Sequence, residues 1–356
     1  MKPTTAIAIS GGVDSMMAAY LIKQQGHNAI GIHFITGFEA GKRFPYKTYR
    51  SGLHPATDIG RQLGIPVELF DIRTEFKHRV VDYFCREYLN GQTPNPCMVC
   101  NPSIKFGAVL SFAQQIGASR LATGHYARVT QGAKGNFNLF KGIDSQKDQS
   151  YFLARLTQKQ LARALFPLGD LKKSDVKKWA RKLGLQPVAP KESQDVCFIK
   201  DNDYGDFLLR QTGLKTAPGP IVDVKGKQLG QHNGLHLFTV GQRRGINCPA
   251  PAPYYVIQID SEHNRLIVGS KSDLFASACR VVDINWISAK PSKPVKICTR
   301  VRYRHKEVVS TLIPQGENEA LIQFEAPQAA ITPGQGAVFY RDAEVLGGGW
   351  ITSFHS

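Results

Sequence analysis

The chain has 356 residues, 42% of them apolar, and a formal net charge of +17 from 45 basic and 28 acidic side chains. That length accommodates two or three domains with sizeable cores, and no apolar run approaches the roughly 18–20 residues of a membrane span. With no secretory leader apparent either, a cytoplasmic location is expected. The excess of positive charge favours polyanionic partners or serves as a solubilising surface. Seven cysteines, an odd number, argue against a disulfide framework.

In chain order, the first elements are a strand over residues 5–9 and a helix over 16–22. Ser10-Gly11-Gly12-Val13-Asp14-Ser15 joins them. A strand, a tight glycine turn and a helix N-terminus together present backbone N–H groups to an anion. The glycines let the backbone approach closely, and the Ser10 and Ser15 hydroxyls add donors. A Walker A loop would carry a lysine after its second glycine, and here a valine follows. The segment resembles instead the PP-loop of ATP pyrophosphatases, which transfer AMP to an oxygen and release pyrophosphate. An ordinary glycine turn is the alternative, disfavoured by six matching residues in this context.

Further strands are predicted over 29–34, 67–71 and 120–125, with an amphipathic helix over 104–116 before the last. Strands alternating with helices imply βαβ units and a parallel sheet. Ligands of such sheets sit beyond the strand C-termini. The glycine turn, Phe34 and Gly124-His125 all fall at such ends and can converge on one nucleotide. Residues 170–187 read as a lysine-rich helix. After residue 213 come short β-like runs at 219–223, 254–259, 265–268, 295–303, 308–313 and 320–324, which predict a C-terminal barrel or sandwich. Boundaries near 205 and 272 divide the chain into an α/β domain over 1–204, a small mostly-β domain over 205–272 and a barrel-like domain over 273–356.

Thr93-Pro94-Asn95-Pro96-Cys97-Met98-Val99-Cys100-Asn101 is the second strong signal. Two prolines in four residues predict an extended loop ending before the helix at 104. A thiol near a helix N-terminus in a basic setting is expected to have a lowered pKa. Cys197 lies nearly a hundred residues on, in a position to face the same cleft. Structural zinc wants four ligands, and no second CxxC exists. Cys85, Cys279 and Cys298 read as small buried hydrophobes, while Cys248 in its proline-rich turn is left open.

With these residues in view, the chain resembles the bacterial tRNA-specific 2-thiouridylases, the MnmA family (Trmu in mitochondria), over almost its whole length. The PP-loop, Thr93–Pro96, Cys100-Asn101, Ile104-Lys105-Phe106, Ala122–Tyr126, Lys147–Leu153, Val196–Ile199, Thr239–Arg243, Arg302-Tyr303-Arg304 and Thr332–Gln335 carry the resemblance. It implies thiolation of the wobble uridine of certain tRNAs. ATP adenylates the uracil C2 oxygen with Mg2+ bridging phosphates, and sulfur then displaces AMP. By the same resemblance Ala8, Ile9, Ser10, Gly11, Gly12, Val13, Asp14, Ser15, Phe34 and Gly124 bind ATP. Cys100 is the nucleophile, Cys197 carries a persulfide, and a bridge between them forms at the end. Asn95, Pro96 and Cys97 face the target base. Lys147, Asp148, Gln149, Arg302 and Tyr303 contact tRNA. A sulfur-carrier protein, a cysteine desulfurase or free sulfide would supply the sulfur.

The chain departs from the family in two places. The usual loop carries Asp where this chain has Cys97, and a thiol is a weaker hydrogen-bonding group. Cys97, Cys100 and Cys197 together are the ligand number for a 4Fe–4S cluster with one open iron. A cluster delivering sulfur directly is therefore expected, with the persulfide relay as its competitor and Cys97 as a mere Asp substitute in that case. The second departure is the basic, aromatic stretch at 41–50, an added tRNA or donor contact or simply a loop. Two rivals remain: an amidating PP-loop ligase acting on a small molecule, and a non-catalytic RNA-binding redox sensor.

Overall fold

The structure, a computed structural model, describes residues 3–38, 55–187, 196–199, 203–213, 216–249 and 251–355. The basic stretch at 41–50 lies outside them. The chain forms two compact units, the first from Met1–Val80, Cys97–Lys200 and Ala343–Leu346. Its strands are β1 (Thr4–Ala8), β2 (Asn28–Ile35), β3 (Val67–Asp71), β4 (Arg120–Ala122), β5 (Ala127–Gln131), β6 (Phe137–Lys141) and β7 (Ala164–Leu165). Five make a parallel sheet in the order β3-β2-β1-β4-β7, as the alternating pattern predicts. β5 and β6 form an antiparallel hairpin, to which Glu344 and Val345 add through Phe140 and Leu139.

β1 is buried from Thr5 to Ala8 because it is covered on both faces, as parallel strands are. Ile7 and Ile9 pack on Met16, Ala19 and Ile22 of the Val13–Gln24 helix, and on Ile59 and Leu63 of the Pro55–Leu63 helix. Met17 and Ala18, on the opposite face of the first helix, pack on Leu168, and on Val176 and Ala180 of the Lys173–Lys182 helix. Strand order reverses at β1, since β2 and β3 step away on one side and β4 lies on the other. The C-terminal ends of β1 and β4 are therefore the switch point, where such sheets take their ligands. Regular pairing of β4 stops at Ala122, and after a last bond from Thr123 N to the Leu165 carbonyl at 3.1 Å the chain leaves the sheet through Gly124-His125 at that point.

The CxxC segment differs from the expected extended loop. Pro96–Cys100 is already helical and runs into a π-helix over Asn101–Val109 and an α-helix over Leu110–Gln115. Proline at a first helical position loses no bond, which is why Pro96 opens the helix. Pro102 removes an interior N–H, and the wide turn places carbonyls before outside donors. Ser103 Oγ donates to the Val99 carbonyl at 2.6 Å, and Gln160 Nε2 donates to the Pro102 and Phe106 carbonyls at 2.7 and 3.0 Å.

The second unit comprises Val81–Pro96, Asp201–Asp342 and Gly347–Ser356. β8 (Gly219–Asp223), β9 (Gln228–His232), β10 (Tyr255–Asp260) and β11 (Arg265–Gly269) form one sheet over a core of Ile221, Phe238, Val256 and Leu266. β12 (Phe275–Trp286), β13 (Val295–Arg300), β14 (Val308–Pro314), β15 (Ala320–Ala329), β16 (Gly336–Arg341) and β17 (Glu344–His355) follow in sequence. They run β12-β15-β14-β13-β16-β17, and a β12–β17 pairing closes the expected barrel. Cys279 is fully buried on β12, Cys85 is buried in the Asp82–Leu89 helix, and Cys298 and Cys248 are half-buried. Gln335 Nε2 donates to the Thr93 and Pro94 carbonyls at 2.9 and 3.1 Å, and Thr93 N donates to the Pro333 carbonyl at 3.0 Å, which fixes the proline-rich approach to Pro96. Among the described residues no helix is long and apolar enough to cross a membrane.

One glycine tests the packing of the first unit. A Cβ on Gly169 would clash with the Ala127 carbonyl oxygen, a backbone atom that cannot swing aside. Gly169→Ala should therefore destabilise by about 1–3 kcal/mol or more and lower the urea midpoint at unchanged slope.

Candidate nucleotide and thiol site

At the end of β1 the chain turns through Gly11, whose φ of +89° only glycine adopts freely, into the Val13–Gln24 helix. Gly12 is the N-cap, and no side chain caps the first turn. Its N–H groups are thus left for an incoming anion. Ser15 Oγ donates to the Gly12 carbonyl at 2.9 Å and accepts from Ser10 N and Ser10 Oγ at 3.3 Å, so the two expected hydroxyls hold the loop together. His33 Nδ1 donates to the Ile9 carbonyl at 2.8 Å. Ala8 and Ile9 are buried beneath the loop, and Phe34 is half-buried near the end of β2.

Asp14 leans toward two partners the sequence did not single out. Tyr126 Oη donates to its Oδ1 at 2.8 Å, and Lys173 Nζ lies 2.7 and 2.6 Å from its two oxygens. Gly124 abuts the loop directly: a Cβ there would stand 2.9 Å from the Asp14 carbonyl carbon and 3.0 Å from Ser15 N. Gly124 and the loop therefore come together as expected.

The next residue, His125, connects this loop to the thiols. Lys105 Nζ, which can only donate, stands 3.2 Å from His125 Nε2, so that nitrogen is the acceptor. The ring proton then sits on Nδ1 and is donated to Thr123 Oγ1 at 2.6 Å. Burial and the Lys105 charge both hold the His125 pKa well below the ordinary 6.5, in keeping with a neutral ring. Lys105 projects from the π-helical segment, and its charge also acts on Cys97 and Cys100.

Those two thiols and Cys197 interact electrostatically, so the three sequence-predicted cysteines are brought together. Cys97 and Cys100 are half-buried residues, whereas Cys197 is exposed on a short turn. The buried Phe198 anchors that turn, edge-on to Phe76 at 5.7 Å between ring centroids. The expected lowering of the thiol pKa is not found. Removal from water pushes both Cys97 and Cys100 up to about 12, and Lys105 only partly offsets it. The expected iron–sulfur cluster is not supported either. Among the described residues no three His, Cys, Asp or Glu side chains are arranged to hold a metal ion, and cluster ligation requires thiolates.

The other predicted contacts fall in varied settings. Asp148 is buried and accepts from Gly142 N, Ser150 N and Ser150 Oγ at 3.0–3.1 Å, while Gln149 Oε1 accepts from Tyr126 N. Both brace the loop around Lys147, which is half-buried. In the second unit, Asn95 and Pro96 are buried and Tyr303 is half-buried. Arg302 Nη2 donates to the Val240 carbonyl at 2.8 Å and to Thr332 Oγ1, so its guanidinium clamps two loops. The sequence assigns no role to Lys105 or Lys173, and for His125 it predicts only a place at the nucleotide end of the sheet; Lys105 lies inside a block quoted above and Lys173 in the lysine-rich helix.

Fold and site together define an α/β nucleotide-loop protein with thiols within reach of the Lys105 charge and a second unit that carries a barrel. Comparison with known proteins narrows this class. Residues 3–201 match the family described as tRNA methyl transferase HUP domain, residues 205–270 the tRNA methyl transferase PRC-barrel domain, and residues 276–351 the Aminomethyltransferase beta-barrel domain. A relative named tRNA-specific 2-thiouridylase MnmA in Desulfosudis oleivorans is 48% identical over 350 residues, covering 98% of this chain and 95% of the relative. Relatives of the same name in Syntrophotalea carbinolica and Geobacter metallireducens are 45% and 43% identical, covering 97% of this chain and 97% and 95% of theirs. The chain belongs to the MnmA family.

Two outcomes follow from the geometry. Gly124→Ala must push the Asp14–Ser15 backbone aside, and it should weaken ATP binding about tenfold in equilibrium titration while leaving the fold intact. Iodoacetamide at neutral pH should label Cys197 before Cys97 and Cys100. Labelling of the latter two should keep accelerating as pH rises toward about 12, because only the thiolate reacts.

Proposed function

We propose that the chain is an ATP-dependent tRNA 2-thiouridylase acting on the wobble uridine. The observation that carries this reading is the contact path from the glycine loop through Gly124 and His125 to Lys105, whose charge acts on Cys97 and Cys100. A site that only bound nucleotide would have no use for thiols at its edge. In the first step the uracil C2 oxygen attacks the α-phosphorus, and pyrophosphate leaves with the bond's electron pair. The uncapped first turn of the Val13–Gln24 helix and the Ser10 and Ser15 hydroxyls orient the polyphosphate. Mg2+ is expected to arrive with ATP, and Asp14, the one carboxylate of the Ser10–Ser15 loop, would hold it there.

In the second step a persulfide on Cys197, loaded by an external sulfur donor, attacks C2 with its terminal sulfur and AMP departs. Cys100 then attacks Cys197 Sγ, which breaks the sulfur–sulfur bond, frees the 2-thiouridine and leaves a Cys100–Cys197 disulfide for an external reductant. The exposure of Cys197 suits loading from outside, and the half-buried Cys100 suits the inner role. A Cys100 thiol raised to about 12 is inert in the free protein, and Lys105 is the charge that favours its ionisation. Such an arrangement keeps the nucleophile quiet until the Lys105 charge, held at His125, is freed toward it. Asn95, Pro96 and Cys97 face the base in this reading, with Cys97 standing where relatives of the resemblance carry Asp. Lys147, with Tyr303, contributes tRNA contacts.

Cys100→Ser and Cys197→Ser should each abolish 2-thiouridine, scored by nucleoside mass spectrometry, while pyrophosphate release continues in the presence of tRNA. Pyrophosphate released without tRNA would favour the amidating ligase, and none at all would favour the redox sensor. Cys97→Asp should thiolate tRNA in iron-free protein. Anoxically purified protein with cluster-level iron that vanishes in Cys97→Ala would instead restore the cluster.

A further inference from the structure

Lys173 is the first residue of the Lys173–Lys182 helix, and its side chain is only 7% exposed, against 30% for the Asp14 carboxylate it contacts. The ammonium spans both carboxylate oxygens at 2.6 and 2.7 Å and stands 5.8 Å from the Tyr126 ring centroid. Its backbone N–H donates to Asp144 Oδ2 at 2.9 Å, which pins the start of the helix independently of the ammonium. The ammonium is thus not needed to hold the helix in place.

A buried ion pair is poor value as a structural link, because desolvating two charges offsets most of their attraction and apolar pairs often serve as well. This one lies on the loop whose free N–H groups await an anion. An unneutralised Asp14 there would repel phosphate, so some cation must stand beside it. Lysine is suited to more than neutralisation. Its flexible stem carries a compact charge that can pass from a carboxylate to a phosphate oxygen without losing a proton.

We propose that Lys173 is a further catalytic residue of the adenylation step, its ammonium passing from Asp14 to the departing pyrophosphate. This rests on the reading of Ser10–Ser15 as an ATP site. As the uracil oxygen bonds to the α-phosphorus, the bond to the bridging oxygen breaks and its electron pair stays on pyrophosphate. Lys173 remains protonated and offsets the charge that accumulates there. Tyr126 keeps its hydrogen bond to Asp14, so the carboxylate stays in place when the ammonium leaves.

Inorganic pyrophosphate and AMP, titrated separately, test this without requiring tRNA. Lys173→Met should bind pyrophosphate about tenfold or more weakly than wild type with AMP affinity unchanged, and Lys173→Arg should recover most of the loss. Lys173→Gln takes the place of the Met variant if that protein does not fold, as judged by circular dichroism. Equal pyrophosphate affinity in wild type and either neutral variant would overturn the proposal. So would wild-type affinity in the Asp14→Asn/Lys173→Met double variant, which would reduce Lys173 to a canceller of the Asp14 charge. Wild-type protein that binds neither ATP nor pyrophosphate would instead sink the ATP-site reading and the role of Lys173 with it.

Discussion

The register of β4 against β1 is the constraint on which the site depends. Ala6 lies opposite Leu121 and Ile7 opposite Ala122, which carries Gly124 to the backbone of Asp14 and Ser15. A slip of one residue would reverse every side chain of β4 and bring Thr123 or His125 to the place where no Cβ fits. The same register sends His125 toward Lys105 and Tyr126 toward Asp14. Three consecutive residues thus serve a close approach, a neutral imidazole and a carboxylate. The burial of Ala6, Ile7 and Ala8, with Ile7 packed on two helices, is what makes that register firm.

The thiols show how burial and charge are set against each other. A helix start and a basic chain suggest reactive cysteines, yet desolvation dominates at Cys97 and Cys100. Lys105 is close enough to act on both but is shared with His125, whose Nε2 holds it at 3.2 Å. A site arranged in this way does not expose a permanent thiolate to oxidants. Ionisation is tied to whatever reduces the desolvation or frees the Lys105 charge.

The glycine loop and the four parallel strands were legible because glycine chemistry and apolar periodicity are local properties. The barrel was legible in outline from evenly spaced β-like runs. The helical state of Pro96–Cys100 was not, since two prolines signal an extended chain locally, whereas Pro96 sits at a helix start. Gln335, more than two hundred residues away, holds the preceding Thr93 and Pro94 carbonyls. Lys173 was hidden for a related reason: one lysine among many in a basic helix looks solvated, and only packing against Asp14 distinguishes it. The thiol pKa failed as a prediction because burial is a tertiary quantity. The bracing of Asp148 is tertiary in the same way, since its oxygens accept from Gly142 and Ser150.

β17 has a consequence for how the protein is made. Its first residues pair with β6 through Glu344 and Val345, while the remainder closes the barrel against β12. The outer edge of β6 therefore stays uncovered until the ribosome has passed residue 345, long after the nucleotide loop has emerged. Such late pairing is slow, because the ends of a very long loop must meet before any contact rewards them. A nascent chain thus carries an open strand edge through most of its synthesis, and a fragment cut before β17 carries it permanently. One strand thus completes both the β5–β6 pairing and the barrel.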